Sequence, residues 1–368
     1  MRAQRTISFA AAAFLLSFAY ATTAAAQREA HETKGDQNNE APEDKNKATA
    51  DVSDESSEPA EKKEGDEVEP KYKLWVDAVF GWGDVPTVNN YPPTTLGTTP
   101  AHTKEETHTT SDSYLIGYSY RAGKLELGAR LPIVHANFSP EGLENQRGAT
   151  TVGNLELFAA YEAKINKRLS IIPELGIALP TAAGDELPTG EEVQADPNKA
   201  YDTNAYDRYS ALQAASASRG LEESALFESK RLGIIPKIEL EYKLKKLTIA
   251  PYIKLENMIS TSSSNEKGYL GELVPGVQAN YGLAKFLDVG LRAWASIAFD
   301  KEDHDNNALI VVEPQIRGHF GPIHPAIGLL LPVFPGSGPS GGYNPPTPYE
   351  PTFDTRFLAF RLAITAAF

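Results

Sequence analysis

The sequence predicts an all-β protein, a closed antiparallel β-barrel of about twelve strands over residues 71–368. The first observation is a period of two, in which apolar and polar residues alternate as they do on the two faces of a strand. The second is that six such stretches end in an aromatic residue. The third is that the connections alternate between short turns and longer loops.

The C-terminal stretch shows the alternation most clearly. One face is wholly apolar and ends in an aromatic residue; it carries Leu358, Phe360, Leu362, Ile364, Ala366 and Phe368. The opposite face holds the only charge, Arg361. This pattern predicts a strand with one apolar and one polar environment.

Five earlier stretches end in the same way, with an aromatic residue four positions after an apolar one. With the C-terminal stretch, the six aromatic endings are Tyr120, Tyr161, Tyr242, Tyr281, Phe320 and Phe368. Charged residues lie on the face away from the aromatic. A partner stretch of the same period adjoins each of the six, which gives twelve strands.

The connections differ systematically in length. Short turns such as 121–123 and 321–322 follow the even-numbered strands, on the side where all six aromatic residues lie. Longer loops follow the odd-numbered strands, at 83–111, 136–150, 181–225, 260–268, 300–307 and 335–353. The barrel is therefore expected to have one end of short turns and one end of long loops.

The first seventy residues have a different character. Residues 1–26 combine Arg2 and Arg5 with an apolar run and a small-residue ending, which predicts a cleaved secretory signal; an uncleaved anchor is the alternative. Residues 27–70 carry fifteen acidic and six basic residues and no aromatic. Such a segment cannot bury enough apolar surface to fold, so we expect a disordered periplasmic linker. Binding of cations or of a basic partner is the other reading of its charge.

Composition narrows the function classes. The net charge of −14 disfavours a nucleic-acid partner because an acidic chain repels phosphate. The absence of cysteine excludes disulfides, thiolate metal sites and cysteine nucleophiles.

The apolar face predicts contact with lipid. Lipid offers no water to backbone groups, so only helices or closed barrels span it, and an uncharged strand face of ~9–11 residues is long enough. The alternative is a soluble β-sandwich or a lipocalin-like barrel with its apolar face inside. The secretion signal, the aromatic endings and the loop asymmetry favour the membrane barrel.

At this point the chain resembles bacterial outer-membrane β-barrel proteins over residues 71–368, a class with even strand numbers, short periplasmic turns and aromatic girdles. The resemblance implies residence in the cell outer membrane, contact with its lipids, periplasmic termini, and recognition of the C-terminal strand by the barrel-assembly machinery. Phe360 and Phe368 match that signal. The Gly-x-x-Leu-Pro repeats at 128–132, 176–180 and 328–332 loosely resemble an outer-membrane family linked to phenol degradation.

The face opposite the lipid face would line the lumen, and it is charged. Its residues are Lys73, Asp77, Glu126, Arg130, Glu156, Glu174, Lys237, Glu239, Lys254, Glu256, Glu272, Asp288, Arg292, Glu313, Arg317 and Arg361. Charges in a low-dielectric lumen must be hydrated or paired. A narrow hydrated pore for a small solute and a closed, salt-bridged, structural or adhesive barrel therefore both remain open, and we favour the pore.

The longest loop, 181–225, contains an alanine-rich part at 206–223 that predicts a helix. It could fold into the pore as a constriction or cap the surface. No motif identifies a catalytic residue, cofactor site or resident metal, so we expect none. His135 with Ser139 is the best enzymatic candidate, for a lipid-modifying activity, and 303–307 loosely resembles the start of a calcium loop without its Gly and Glu.

Overall fold

The computed structural model describes residues 70–88, 104–140, 147–184, 203–262, 268–299, 308–334 and 357–368. The predicted signal and linker (1–26 and 27–70), apart from residue 70, and the 303–307 stretch lie outside these residues. The strands are β1 Tyr72–Val88, β2 Lys104–Ala122, β3 Leu125–Pro140, β4 Arg147–Val152, β5 Leu155–Tyr161, β6 Ala163–Lys164, β7 Leu169–Leu179, β8 Arg231–Leu244, β9 Leu247–Ser260, β10 Tyr269–Ala284, β11 Leu287–Phe299, β12 Ala308–Gly318, β13 Ile323–Phe334 and β14 Leu358–Ala367. One helix, α1, spans Thr203–Ser218, and a 3₁₀ turn spans Ser224–Leu226.

The strands form one closed antiparallel sheet. Each spanning strand pairs with the spanning strands next to it along the chain, and β1 pairs with both β2 and β14, which closes the barrel. Strands β4, β5 and β6 are consecutive pieces of one spanning strand, because β4 and β5 both pair with β3, and β5 and β6 both pair with β7. The predicted twelve-stranded antiparallel barrel is confirmed.

The ends of the chain complete the closure. The backbone N–H of Tyr72 donates to the carbonyl oxygen of Phe368 at 2.8 Å, and that of Phe368 donates back at 2.9 Å. The two rings stack with centroids 6.1 Å apart. We call the end that holds Tyr72, Phe368 and the short turns the turn end, and the opposite end the loop end.

The outer surface is apolar where the alternation predicts it. Five of the six aromatic endings form an exposed aromatic rim at the turn end: Tyr120, Tyr161, Tyr281, Phe320 and Phe368. Tyr242 is half-buried there, and Phe360 lies opposite Phe80 near the middle of the wall. Phe360 therefore belongs to the apolar band and not to the rim. A soluble barrel would hide such a face, so its exposure indicates a lipid surface.

The prolines explain gaps in the ladder. Pro236, Pro275 and Pro314 pair with the preceding strand, but the register with the following strand skips each of them. Proline has no N–H to donate, so the lost hydrogen bond falls on the side of the following strand. All three are at a similar depth, which places three interruptions in one half of the wall.

Several strands are longer than predicted. The loop expected at 83–111 is shortened because β1 reaches Val88 and β2 begins at Lys104, and that at 136–150 is shortened because β3 reaches Pro140. Apolar alternation ends where the outer face leaves lipid, whereas backbone pairing continues into water. The sequence pattern therefore reports the lipid-facing band and not the strand ends.

The segment between β7 and β8 folds into the lumen. Helix α1 spans Thr203–Ser218, close to the predicted 206–223 but ending earlier, because Gly220 adopts φ 68° and turns the chain. No helix of the described residues is long and apolar enough to cross a membrane. We call residues 203–230 the plug.

Candidate functional site

The loop-end half of the lumen is an apolar core between the plug and the wall. The buried residues of α1 on this surface are mostly alanine: Ala211, Leu212, Ala214, Ala215 and Ala217. They pack against Leu115, Val134, Phe138, Ile235 and Met258 of the wall. Sequence reasoning placed a helix here, but it left open whether the loop entered the lumen.

Close approach of the plug to the wall requires two glycines. A Cβ on Gly81 of β1 would lie 2.4 Å from the Cβ of Ser218, and one on Gly220 would lie 2.8 Å from the Trp294 ring. The carbonyl oxygen of Gly220 accepts hydrogen bonds from the Trp294 indole N–H at 2.9 Å and from the Ser296 hydroxyl at 3.2 Å. The end of α1 therefore crosses from β1 to β11.

Beneath this apolar layer, ion pairs join the plug to the wall. Arg219, whose side chain is 0% exposed, pairs with Asp77 of β1 and with Glu223 of the plug, the latter at 2.7 Å. Glu222 pairs with Arg292 of β11 at 2.5 Å and accepts a hydrogen bond from the Tyr252 hydroxyl at 2.7 Å. The plug thus contacts two separate wall strands, β1 and β11, through ion pairs.

The wall completes a circuit of alternating charges between these two contacts. Arg361 of β14 lies 3.1 Å from Asp77 and 2.9 Å from Glu313, and Glu313 lies 2.9 Å from Arg292. The full circuit runs Glu223, Arg219, Asp77, Arg361, Glu313, Arg292 and Glu222. Buried charges are tolerated when each has an opposite partner, and the circuit supplies one at every step.

The other side of the lumen carries a second set of pairs. Arg130 of β3 pairs with Glu156 at 2.6 Å and with Glu174 at 2.9 Å. Lys237 bridges Glu174 and Glu239, and Lys254 lies 2.8 Å from Glu256.

The remaining lumen residues predicted from the sequence lie at four separate places. Lys73 and Glu126 pair at 3.0 Å near the turn end, and Asp288 pairs with His319 at 2.7 Å. Arg317 donates to the Gln315 side-chain oxygen at 3.1 Å and forms no ion pair within the described part of the chain. Glu272 is buried and has no ion-pair partner there either.

Sequence reasoning missed the charged residues of the plug itself. It did not single out Arg219, Glu222 or Glu223; the wall partners of Arg219 and Glu222 come from strands far away in sequence. An Arg and two Glu just after an alanine-rich helix are the available signal, but they read equally well as a solvated helix end.

Two cavities flank the charged base of the plug. The larger, about 240 Å³, lies toward the turn end, and the smaller, about 60 Å³, lies beside Tyr252 and Lys254. Among the residues lining the larger one are Trp75, Leu115, Glu222, Arg292 and Arg317. This cavity combines an aromatic surface, an apolar one and several guanidinium groups, and its size suits a small organic molecule.

Two of the plug carboxylates, Glu222 and Glu223, are held ionised. Burial alone would raise the pKa of Glu223, but the Arg219 guanidinium outweighs it and lowers the pKa from 4.5 to about 2. Burial opposes ionisation of Glu222 in the same way, and Arg292 with Lys254 brings its pKa far below the usual range. The plug therefore presents negative charge to the cavity at neutral pH.

Among the described residues, the hydrogen bonds of the enzymatic candidate His135 do not include Ser139. His135 hydrogen-bonds Thr150 at 2.9 Å and the Asn137 amide at 3.2 Å, both in the wall. No group of three or more His, Asp or Glu within the described ranges is arranged to hold a metal ion.

Comparison with known proteins supports the fold. An outer-membrane channel from Pseudomonas putida F1 superposes with a TM-score of 0.51 at 9% identity, covering 81% of this chain and 96% of that one. The chain has the fold of an outer-membrane β-barrel. The KdgM porin in complex with oligogalacturonate is also similar, with a TM-score of 0.40, 9% identity, and coverage of 80% and 99%. No protein-family profile and no curated protein matches this outer-membrane barrel in sequence.

Proposed function

We propose that the protein is an outer-membrane barrel that conducts a small solute when the plug moves. The observation that carries the proposal is the attachment of the plug: its base is fixed to the wall strands β1 and β11 by the Arg219–Asp77 and Glu222–Arg292 ion pairs. Water, salt ions or a charged solute can take the place of an ion-pair partner. The contacts of an apolar core have no such substitute. The attachment is therefore suited to being released.

The packing of α1 supports a displaceable segment. Four of its buried residues, Ala211, Ala214, Ala215 and Ala217, contribute one methyl group each. Burial is worth about 0.8 kcal/mol per CH₂ group, so an alanine surface binds less strongly than a leucine surface of the same length. Leu212 is the one large apolar side chain among the α1 residues in that core.

The cavity of about 240 Å³ is the candidate solute site. Its guanidinium groups and the carboxylates of the plug would select small polar or charged solutes. Arg317 is the strongest candidate for an anion contact, because its partner Gln315 is neutral. The loose resemblance to the phenol-linked family makes small aromatic solutes a reasonable first panel.

Planar-bilayer recording of the purified full-length protein tests the proposal. We expect small, ion-selective currents from the wild type and larger currents from a variant in which a Gly-Ser linker replaces 203–230. Heat-modifiable gel mobility verifies that each protein is folded. If both folded proteins fail to conduct, the transport function is refuted.

The second candidate is a closed structural or adhesive barrel. It is favoured by the paired charges and by the complete burial of Arg219. The linker variant separates the two functions: a gated channel has currents that depend on the plug, whereas a structural barrel has none at any setting of voltage or salt.

The membrane context and the absence of catalysis belong to the proposal. We propose that the apolar wall contacts outer-membrane lipids, that both termini are periplasmic, and that the barrel-assembly machinery recognises the strand ending in Phe368. Within the described residues the hydrogen bonds of His135 go to Thr150 and Asn137 and not to Ser139, which supports a non-enzymatic role. Outer-membrane fractionation tests the location; a soluble periplasmic protein would refute it.

A further inference from the structure

Glu272 of β10 is a buried carboxyl group without a partner. Its side chain is 1% exposed, and neither carboxyl oxygen forms a hydrogen bond that meets ordinary geometry within the described part of the chain. The lumen-facing neighbours on its own strand are Leu270 and Val274, both buried and apolar. Every other buried lumen carboxylate named above has a basic partner, so Glu272 needs a separate explanation.

A second buried carboxyl group faces it. Glu256 of β9 is its direct cross-strand partner and is also 1% exposed. Directly opposite residues have Cβ atoms about 5 Å apart, so two ionised groups here would repel each other strongly. Lys254 offers one positive charge, and it lies 2.8 Å from Glu256.

The other elements packed around Glu272 add no second cation. Strand β11 contributes Ser296 and no charge between Trp294 and Ala298. The plug contributes Ser224, which lies between Glu223 and Glu228 in the sequence. The nearby Arg231 pairs with Glu228, at 3.8 Å. A carboxyl group in these surroundings is held in its neutral form.

The pair is connected to the plug through one backbone hydrogen bond. The N–H of Ala225 donates to Glu256 Oε2 at 2.6 Å, in the 3₁₀ turn Ser224–Leu226. Any movement of the Glu256 side chain away from an ionised Glu272 strains this bond. The protonation of Glu272 and the docking of the turn therefore act on the same atoms.

We propose that Glu272 is a protonation switch for the plug. In its neutral form, Glu272 lies beside ionised Glu256 and lets the 224–226 turn stay docked. When alkaline pH removes the proton, two carboxylates oppose each other beside one lysine, and the turn undocks. The inference rests on the proposed function, because it assumes that the plug controls passage.

Chemical labelling tests the switch independently of conduction. The chain has no cysteine, and Ser229 is buried beside the turn with a hydroxyl that has no hydrogen-bond partner in the described residues, so Ser229→Cys introduces one reporter thiol. We expect the maleimide labelling rate to rise with pH more steeply in Ser229→Cys than in Ser229→Cys with Glu272→Gln. The ratio of the two rates cancels the ionisation of the thiol itself, and it should grow up to about tenfold per pH unit.

The control is Glu239→Gln, which removes a lumen carboxylate paired with Lys237 and away from the turn. It should leave the pH dependence of labelling unchanged. Equal labelling with and without Glu272→Gln, in proteins that keep heat-modifiable mobility, overturns the switch. A pH-dependent ratio without any conductance keeps the switch and rejects the transport function; conductance without a pH-dependent ratio does the reverse.

Discussion

The Arg219→Ala variant should open the lumen. Arg219 is fully buried; it joins the plug to Asp77 and to the Ser113 hydroxyl at 3.2 Å, and it pairs with Glu223 within the plug. Removing one partner of a buried pair costs about 3–5 kcal/mol, because it leaves a charge unpaired. Asp77 retains Arg361, so we expect the lower part of this range.

The expected size follows from that free energy. Each 1.4 kcal/mol changes an equilibrium tenfold, so a loss of about 3 kcal/mol in docking should raise the undocked population roughly a hundredfold. In planar-bilayer recordings this appears as a rise in open probability at unchanged single-channel conductance. Stability of the barrel itself, read from heat-modifiable mobility, should stay the same.

A matched control is Arg147→Ala. Arg147 also joins the wall to α1, through Asp207 at 2.6 Å, but its side chain is 40% exposed. Exposed pairs contribute about 0–1 kcal/mol, so this variant should change open probability less than about fivefold. If Arg219→Ala has no larger effect than Arg147→Ala, the ion pairs do not hold the plug.

Four further predictions concern the plug, the cavity and assembly. Leu212→Ala should weaken plug docking by about 2–5 kcal/mol through loss of buried volume, measured as open probability; a change no larger than that of an exposed leucine would contradict the packing. Arg317→Gln should shift the reversal potential toward cation selectivity under a salt gradient, and an unchanged reversal potential would remove Arg317 from the pathway. Because Arg219, the partner of Glu223 within the plug, lowers the pKa of Glu223 from 4.5 to about 2, the contribution of this pair to the folded base of the plug is complete above pH 4.5 and lost as the pH falls toward 2; currents that do not rise over that interval would show that plug closure does not depend on the pair. Deleting Phe368 should reduce the folded outer-membrane fraction without altering expression, as measured by heat-modifiable mobility.

The barrel could be predicted from the sequence because its cause is local. Successive residues of a strand face lipid and lumen in turn. The apolar alternation that ends at Phe368, and the charge of Arg361 on the opposite face, follow directly from this pleating. The predicted number of twelve strands is correct although one spanning strand is divided into β4, β5 and β6. The break at Gly153 and Asn154 does not change which strands are neighbours.

The charged lumen could be predicted only as a set of residues. Parity placed Asp77, Arg292, Glu313 and Arg361 on one face, but their pairing depends on barrel closure, which brings β14 beside β1. The sequence also does not tell which neighbouring strand loses a hydrogen bond at each proline. In the structure, Pro275 and Pro314 remove hydrogen bonds only toward the strand that follows each.

The sequence by itself determined the all-β class, the lipid face and the helix between β7 and β8, since each follows from the spacing of apolar residues along the chain. Only the tertiary structure decided where that helix lies and which charges it meets. Arg219 and Glu222 are near neighbours in sequence, yet they bind Asp77 and Arg292 on two different wall strands, β1 and β11. Contacts between a loop and the wall around it depend on the closed barrel, and no periodicity in the loop encodes them.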